Sequence, residues 1–126
     1  MHWCNMNCLS INIQGAVNTD KRQWIRKMCL KNKVNFLGIQ ETQMETVDDF
    51  MICSLRGNSH FSYDMIPARG MSGGIWIAWN PDVIKKTHVL FFDWFVVLEA
   101  TWINTRKPVS FITVYAPQDG RDKREL

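Results

Sequence analysis

The sequence predicts a mixed α/β fold, a β-α-β opening that runs into an antiparallel β-meander. Three observations carry this reading. "NCLSINIQG", residues 7–15, alternates with period two. "NTDKRQWIRKMCLKNK", residues 18–33, has apolar residues at helical spacing. Beyond residue 60 the chain is β-branched and aromatic, broken by turn-forming clusters.

In the first strand Leu9, Ile11 and Ile13 face one way and Cys8, Ser10 and Asn12 the other, and Gly15 ends it. Asn18, Thr19 or Asp20 can cap the helix that follows. Its apolar stripe is Trp24, Ile25, Met28 and Cys29, with the Lys and Arg residues largely outside. "VNFLGIQE", residues 34–41, is a second strand, parallel to the first across the helical crossover. "TVDDFMICSLRG", residues 46–57, reads as a short helix with Thr46 as N-cap and Gly57 past its end. "SYDMIPA", "GGIWIAWN", "THVLFFDWFVVLEATWI" and "PVSFITVYAP" are the meander, separated by "RGMSGG", "NPD" and "INTRKP". These strands are apolar on both faces and require cover on both sides, for which two helices are too few.

At 126 residues the chain is one domain, and 46% hydrophobic residues with 12% aromatics make it core-forming rather than disordered. No apolar run approaches the ~20 residues of a membrane helix. "MHWCNMNC" has no basic stretch followed by an apolar one, so a signal peptide and a membrane partner are not expected. The expected location is intracellular, nuclear or cytoplasmic. Cys4, Cys8, Cys29 and Cys53 show no C-x-x-C spacing and have no His pair with them, which argues for reduced thiols over a zinc site. Cys8 and Cys29, set among apolar residues, read as small core side chains. His2, His60 and His88 match no catalytic pattern.

The net charge of +3 is unevenly spread. Lys21, Arg22, Arg26, Lys27, Lys31 and Lys33 face only Asp20 within residues 1–40. This basic third suits a polyanion, and it also suits an ordinary solvated helix face.

Sites in α/β folds lie at the C-terminal ends of parallel strands. There the first strand ends at Asn12 and the second at Glu41. A carboxylate beside a carboxamide is an oxygen-donor pair suited to a hard cation such as Mg²⁺. The plain alternative for Glu41 is a solvated strand-end carboxylate. Asn12 can instead orient a turn through its own amide. The "RGMSGG" loop with Arg69 could cradle a phosphate, or serve only as a connection needing positive φ. Trp76, Trp79, Trp94 and Trp102 read as core rather than base-stacking residues.

Four motifs in order carry a family resemblance: "SINIQG" at Ser10–Gly15, Gln40-Glu41-Thr42, "SGGIWIAWN" at Ser72–Asn80, and "VYAPQD" at Val114–Asp119. In these the chain resembles the endonuclease/exonuclease/phosphatase superfamily, and most of all the endonuclease domain of plant LINE-type (non-LTR) retroelements. The resemblance implies a DNase-I-like four-layered α/β sandwich. Residues 1–126 would be its N-terminal half, truncated, with the C-terminal half absent. It implies a metal-dependent phosphodiesterase that nicks DNA, with Mg²⁺, or Mn²⁺ in its place, held by Glu41 and Asn12. Tyr115 would reach the scissile phosphate; its plain alternative is a strand aromatic. The family's D-x-N and D-H motifs, which orient and activate the attacking water, occur nowhere in the chain. An inactive fragment with half of the sandwich missing is the expectation. The first sheet would then expose an apolar face open to self-association. The alternative is a non-enzymatic nucleic-acid- or protein-binding remnant.

Overall fold

The computed structural model describes residues 6–15, 19–44, 61–67, 73–93 and 95–114. Along the chain these form β1 (Cys8–Asn12), α1 (Thr19–Lys31), β2 (Phe36–Gln40), β3 (Ser62–Ile66), β4 (Ile75–Trp79), β5 (Ile84–Phe91), β6 (Phe95–Trp102) and β7 (Lys107–Val114). The predicted helix over 46–57 lies outside the described residues, as do Arg69 and Tyr115. Among the described residues no helix is long and apolar enough to cross a membrane.

The strands divide between two sheets, one ordered β1-β2-β4-β3 and the other β5-β6-β7. β1 and β2 are parallel, with Asn12 beside Gln40. β4 runs antiparallel to β2 and to β3. The β-α-β opening is therefore as expected, but the meander does not extend one sheet.

The sorting follows from two-sided burial. β2 and β4 are almost wholly buried. Such strands need apolar layers above and below. On one face Leu37, Ile39, Trp76 and Ala78 pack with Ile25 and Cys29 of α1. On the other, Phe36, Ile75, Ile77 and Trp79 pack with Ile84, Val96, Leu98, Ala100 and Phe111 of the second sheet. The Phe36 and Phe111 rings stack across the layers at 4.3 Å. The expectation that the covering sheet is missing is thus corrected: β5, β6 and β7 supply it. Exposed apolar side chains among the described residues include Leu90, Ile112 and Val114 on the second sheet and Trp24 and Leu30 on α1.

The layers meet closely at Gly38. A Cβ there would lie 2.7 Å from Oγ1 and 3.1 Å from Cγ2 of Thr113, itself buried on β7.

Other sequence expectations also need adjusting. Ile25 and Cys29 are the buried pair of α1, while Trp24 is 54% exposed. A helix covering a sheet on one side buries a narrow stripe, and Trp24 falls outside it. Cys8 is exposed on the outer edge strand rather than in the core. The chain around it still desolvates the thiol and pushes its pKa up, which favours the neutral thiol. "THVLFFDWFVVLEATWI" is two strands, with Phe92 N–H donating to Phe95 O across the turn and the two rings stacked at 4.4 Å. No Gly or Pro marks that turn.

Helix α1 ends in a Schellman arrangement. Val34 N–H donates to Cys29 O at 3.0 Å, and Lys33 takes the left-handed position with φ 49°. "NPD" closes β4 to β5 as an Asx turn, with Asn80 Oδ1 accepting from Asp82 N–H.

Two stability predictions follow from this packing. Gly38→Ala should cost about 1–3 kcal/mol, because its methyl enters the space of Thr113. Thr113→Ala in the same chain should recover part of that loss in a double-mutant cycle read by urea unfolding; strict additivity would contradict the contact. Lys33→Gly should raise stability by about 0.5–1 kcal/mol in the same assay, because glycine takes a left-handed helix end without Cβ strain. A loss on that substitution would count against the Schellman geometry.

Candidate active site

Glu41 directly follows β2 and is completely buried, as is Thr42. The reading of Glu41 as a solvated strand-end carboxylate therefore fails. Neither carboxylate oxygen of Glu41 has a hydrogen-bond partner among the described residues, and neither has Thr42 Oγ1. Nearly all buried polar groups in folded proteins are paired, so an orphaned carboxylate beside an orphaned hydroxyl calls for an explanation. Burying an ionised carboxylate without compensation is costly.

The backbone at this point is also strained. Glu41 has φ 59° and Gln43 has φ 56°. The left-handed region costs a non-glycine residue roughly 1–2 kcal/mol. What holds it there is a set of main-chain hydrogen bonds. Gly15 N–H donates to Glu41 O at 2.7 Å. Thr42 N–H donates to Gly74 O at 3.2 Å, and Gln43 N–H to Gly73 O at 2.8 Å. Gly15, Gly73 and Gly74 all have positive φ themselves. A Cβ on Gly15 would meet Gln43 Oε1 at 3.0 Å. Three of the sequence motifs, "SINIQG", "QET" and "SGG", thus converge on one short segment.

Asn12 lies at the end of β1, one register position from Glu41. Its Oδ1 accepts from Gln14 N–H at 3.2 Å, the turn-orienting role weighed from sequence. A carboxamide oxygen has a second lone pair, so this bond leaves one acceptor position. Lys21, counted only as surface charge in the sequence, reaches back from α1. Its Nζ donates to Ile13 O at 2.7 Å and to Gln14 O at 3.1 Å, tethering the loop that follows Asn12. Gln40 Nε2 donates to Ser10 Oγ at 2.7 Å and ties the two parallel strands beside it. No sequence signal pointed to the Lys21 tether.

The glycines of "RGMSGG" that are described serve the backbone, as the plainer reading had it. Trp76 and Trp79 are buried core residues, Trp102 is partly buried, and the Trp94 side chain is not described. Among the described residues no three His, Cys, Asp or Glu side chains converge as a metal cluster. The donors at this end are one carboxylate, one hydroxyl and one carboxamide. Hard oxygen donors in this small number suit Mg²⁺, which keeps several waters and takes one or two carboxylates.

No family model matches the chain, and no curated protein matches it. Solved structures do. AP endonuclease LMAP from Leishmania major superposes with a TM-score of 0.64 at 14% identity, over 88% of this chain and 40% of that one. The catalytic domain of APE2 from Xenopus laevis gives 0.63 at 12% identity, over 95% of this chain and 48% of that one. The chain spans less than half the length of either. At these identities the likeness is one of fold, and the fold is part of a DNase-I-like α/β sandwich.

Proposed function

We propose that the chain is the N-terminal part of a metal-dependent phosphodiesterase, a nuclease domain of retroelement origin, and that Glu41 is its metal carboxylate. The observation that carries the reading is the fully buried Glu41 side chain with both oxygens unpartnered. Glu41 would hold the cation, with the Thr42 hydroxyl beside it and the Asn12 carboxamide at the neighbouring strand end. Tyr115, which follows β7 and lies outside the described residues, would contact the scissile phosphate, as the "YAP" motif implies. When bound, Mg²⁺ or Mn²⁺ polarises a phosphoryl oxygen and stabilises the leaving group. The substrate class proposed is DNA, in keeping with the endonuclease motifs and with the fold of an AP endonuclease. The plant LINE-type origin rests on the four motifs.

These 126 residues contain no D-x-N and no D-H. General acid–base help is typically worth two to four orders of magnitude in rate. The chain by itself therefore holds the metal half of a site and cleaves at trace level at most.

A second reading, a non-enzymatic nucleic-acid-binding remnant, is favoured by Trp24, Arg26 and Lys27, all exposed on α1. Salt-sensitive DNA binding that is unchanged in Glu41→Gln, without cleavage, would support it.

The test is urea unfolding followed by circular dichroism with and without Mg²⁺. At ten times its dissociation constant the cation should add about 1.4 kcal/mol, and Glu41→Gln should abolish that gain. An unfolding midpoint indifferent to Mg²⁺ overturns the metal assignment. In a supercoiled-plasmid assay, nicking should not exceed that of Glu41→Gln; vigorous Glu41-dependent nicking would overturn the proposed loss of activity. Reverse-transcriptase motifs in the neighbouring genomic reading frame are expected, and their absence would count against retroelement origin.

A further inference from the structure

The clamp around Glu41 holds a second side chain that its backbone does not require. Gln43 has φ 56°, in the region that glycine enters without strain. Its part in the clamp is to donate its N–H to Gly73 O at 2.8 Å, which a glycine would do equally well. Gly15, Gly73 and Gly74, the other members, are glycines with positive φ. At position 43 the chain places a carboxamide instead.

That carboxamide has a defined position. Gln43 is half-buried. Its Oε1 lies 3.0 Å from where a Cβ on Gly15 would stand, so the oxygen rests on the loop between β1 and α1. Gly15 offers it no hydrogen bond, because its N–H is given to Glu41 O at 2.7 Å. The Gln43 side chain makes no hydrogen bond among the described residues. An acceptor oxygen is thus held next to the Asn12 loop and two residues from Glu41, on a strained backbone. Such strain gathers at functional sites. An oxygen turned this way repels the oxygens of a phosphate and accepts from a donor. The donors that a cation on Glu41 brings are its own waters, of which Mg²⁺ keeps several.

We propose that Gln43 steadies the cation site, its carboxamide oxygen accepting a hydrogen bond from a water on the cation that Glu41 holds. This rests on the reading of Glu41 as the metal carboxylate. Gln43 acts through that water and is a positioning residue. Its side chain is then the reason that the strained position is not a glycine.

The experiment is Mg²⁺ titration by isothermal calorimetry, paired with urea unfolding in EDTA. Without metal, Gln43→Gly should unfold at higher urea than the parent, because the strain is relieved. The same variant should bind Mg²⁺ about tenfold more weakly, the lower end of the ~10–100-fold loss typical when an outer partner of a metal site is removed. A merely structural side chain would not give these opposite signs. Gln43→Glu, which keeps an acceptor at the same reach, should bind Mg²⁺ at least as tightly as the parent. Parent-like affinity in Gln43→Gly, or equal weakening in Gln43→Glu and Gln43→Gly, overturns the proposal and leaves Glu41 as the metal carboxylate. A lower urea midpoint in Gln43→Gly also overturns it, because the side chain would then serve folding. No Mg²⁺ binding by the parent, or undiminished binding by Glu41→Gln, overturns the Glu41 reading and this proposal with it.

Discussion

The structure depends on a backbone clamp around Glu41. Three glycines from two distant parts of the chain, Gly15 after β1 and Gly73 and Gly74 before β4, bond to the main chain of residues 41–43. The bonds hold Glu41 and Gln43 in the left-handed region, which neither residue prefers. Strain of this kind persists only where surrounding structure over-determines it, and it gathers at functional sites. Here the over-determination is visible. The parallel pairing of β1 with β2 places Gly15, and the antiparallel pairing of β2 with β4 places Gly73 and Gly74. The side chain that the clamp presents is a carboxylate with no partner. Strain and an orphaned carboxyl group together fit a group waiting for a cation better than they fit a structural residue.

The rest of the fold makes that placement rigid. The first sheet is sealed on one side by Ile25 and Cys29 of α1 and on the other by the second sheet. At Gly38, three residues before Glu41, the layers come into close contact with Thr113. A wider side chain there would push β7 away from β2 and loosen the strand that ends at Glu41. Lys21 adds a tether from the helix to the loop after Asn12. Packing on both faces and a bonded loop at the end are what a preorganised cation site requires.

Much of this was legible in the sequence. The β-α-β opening followed from periodicity, and the double-sided burial of β4 from its unbroken apolar run. Glu41 and Asn12 stood out because they end adjacent parallel strands. The partition into two sheets was not legible, because period two reports which residues share a face and not which strand is the neighbour. The β5–β6 turn carries aromatic stacking in place of Gly or Pro. Trp24 was misplaced because an apolar stripe read from spacing is wider than the stripe a single sheet covers. Gly38 acts through a partner far along the chain, Thr113, and Lys21 reaches back across the β1–α1 connection to the Ile13 and Gln14 carbonyls.

Whether the orphaned Glu41 carboxylate receives a cation is open to direct measurement. The most direct measurement is Mn²⁺ titration of the ¹⁵N-labelled chain, read as paramagnetic broadening of backbone amide signals. Gly15, Glu41 to Gln43, Gly73 and Gly74 should broaden first and together, and Glu41→Gln should leave them sharp. Broadening that begins at exposed carboxylates such as Asp82 or Asp93 while residues 41–43 stay sharp would contradict it.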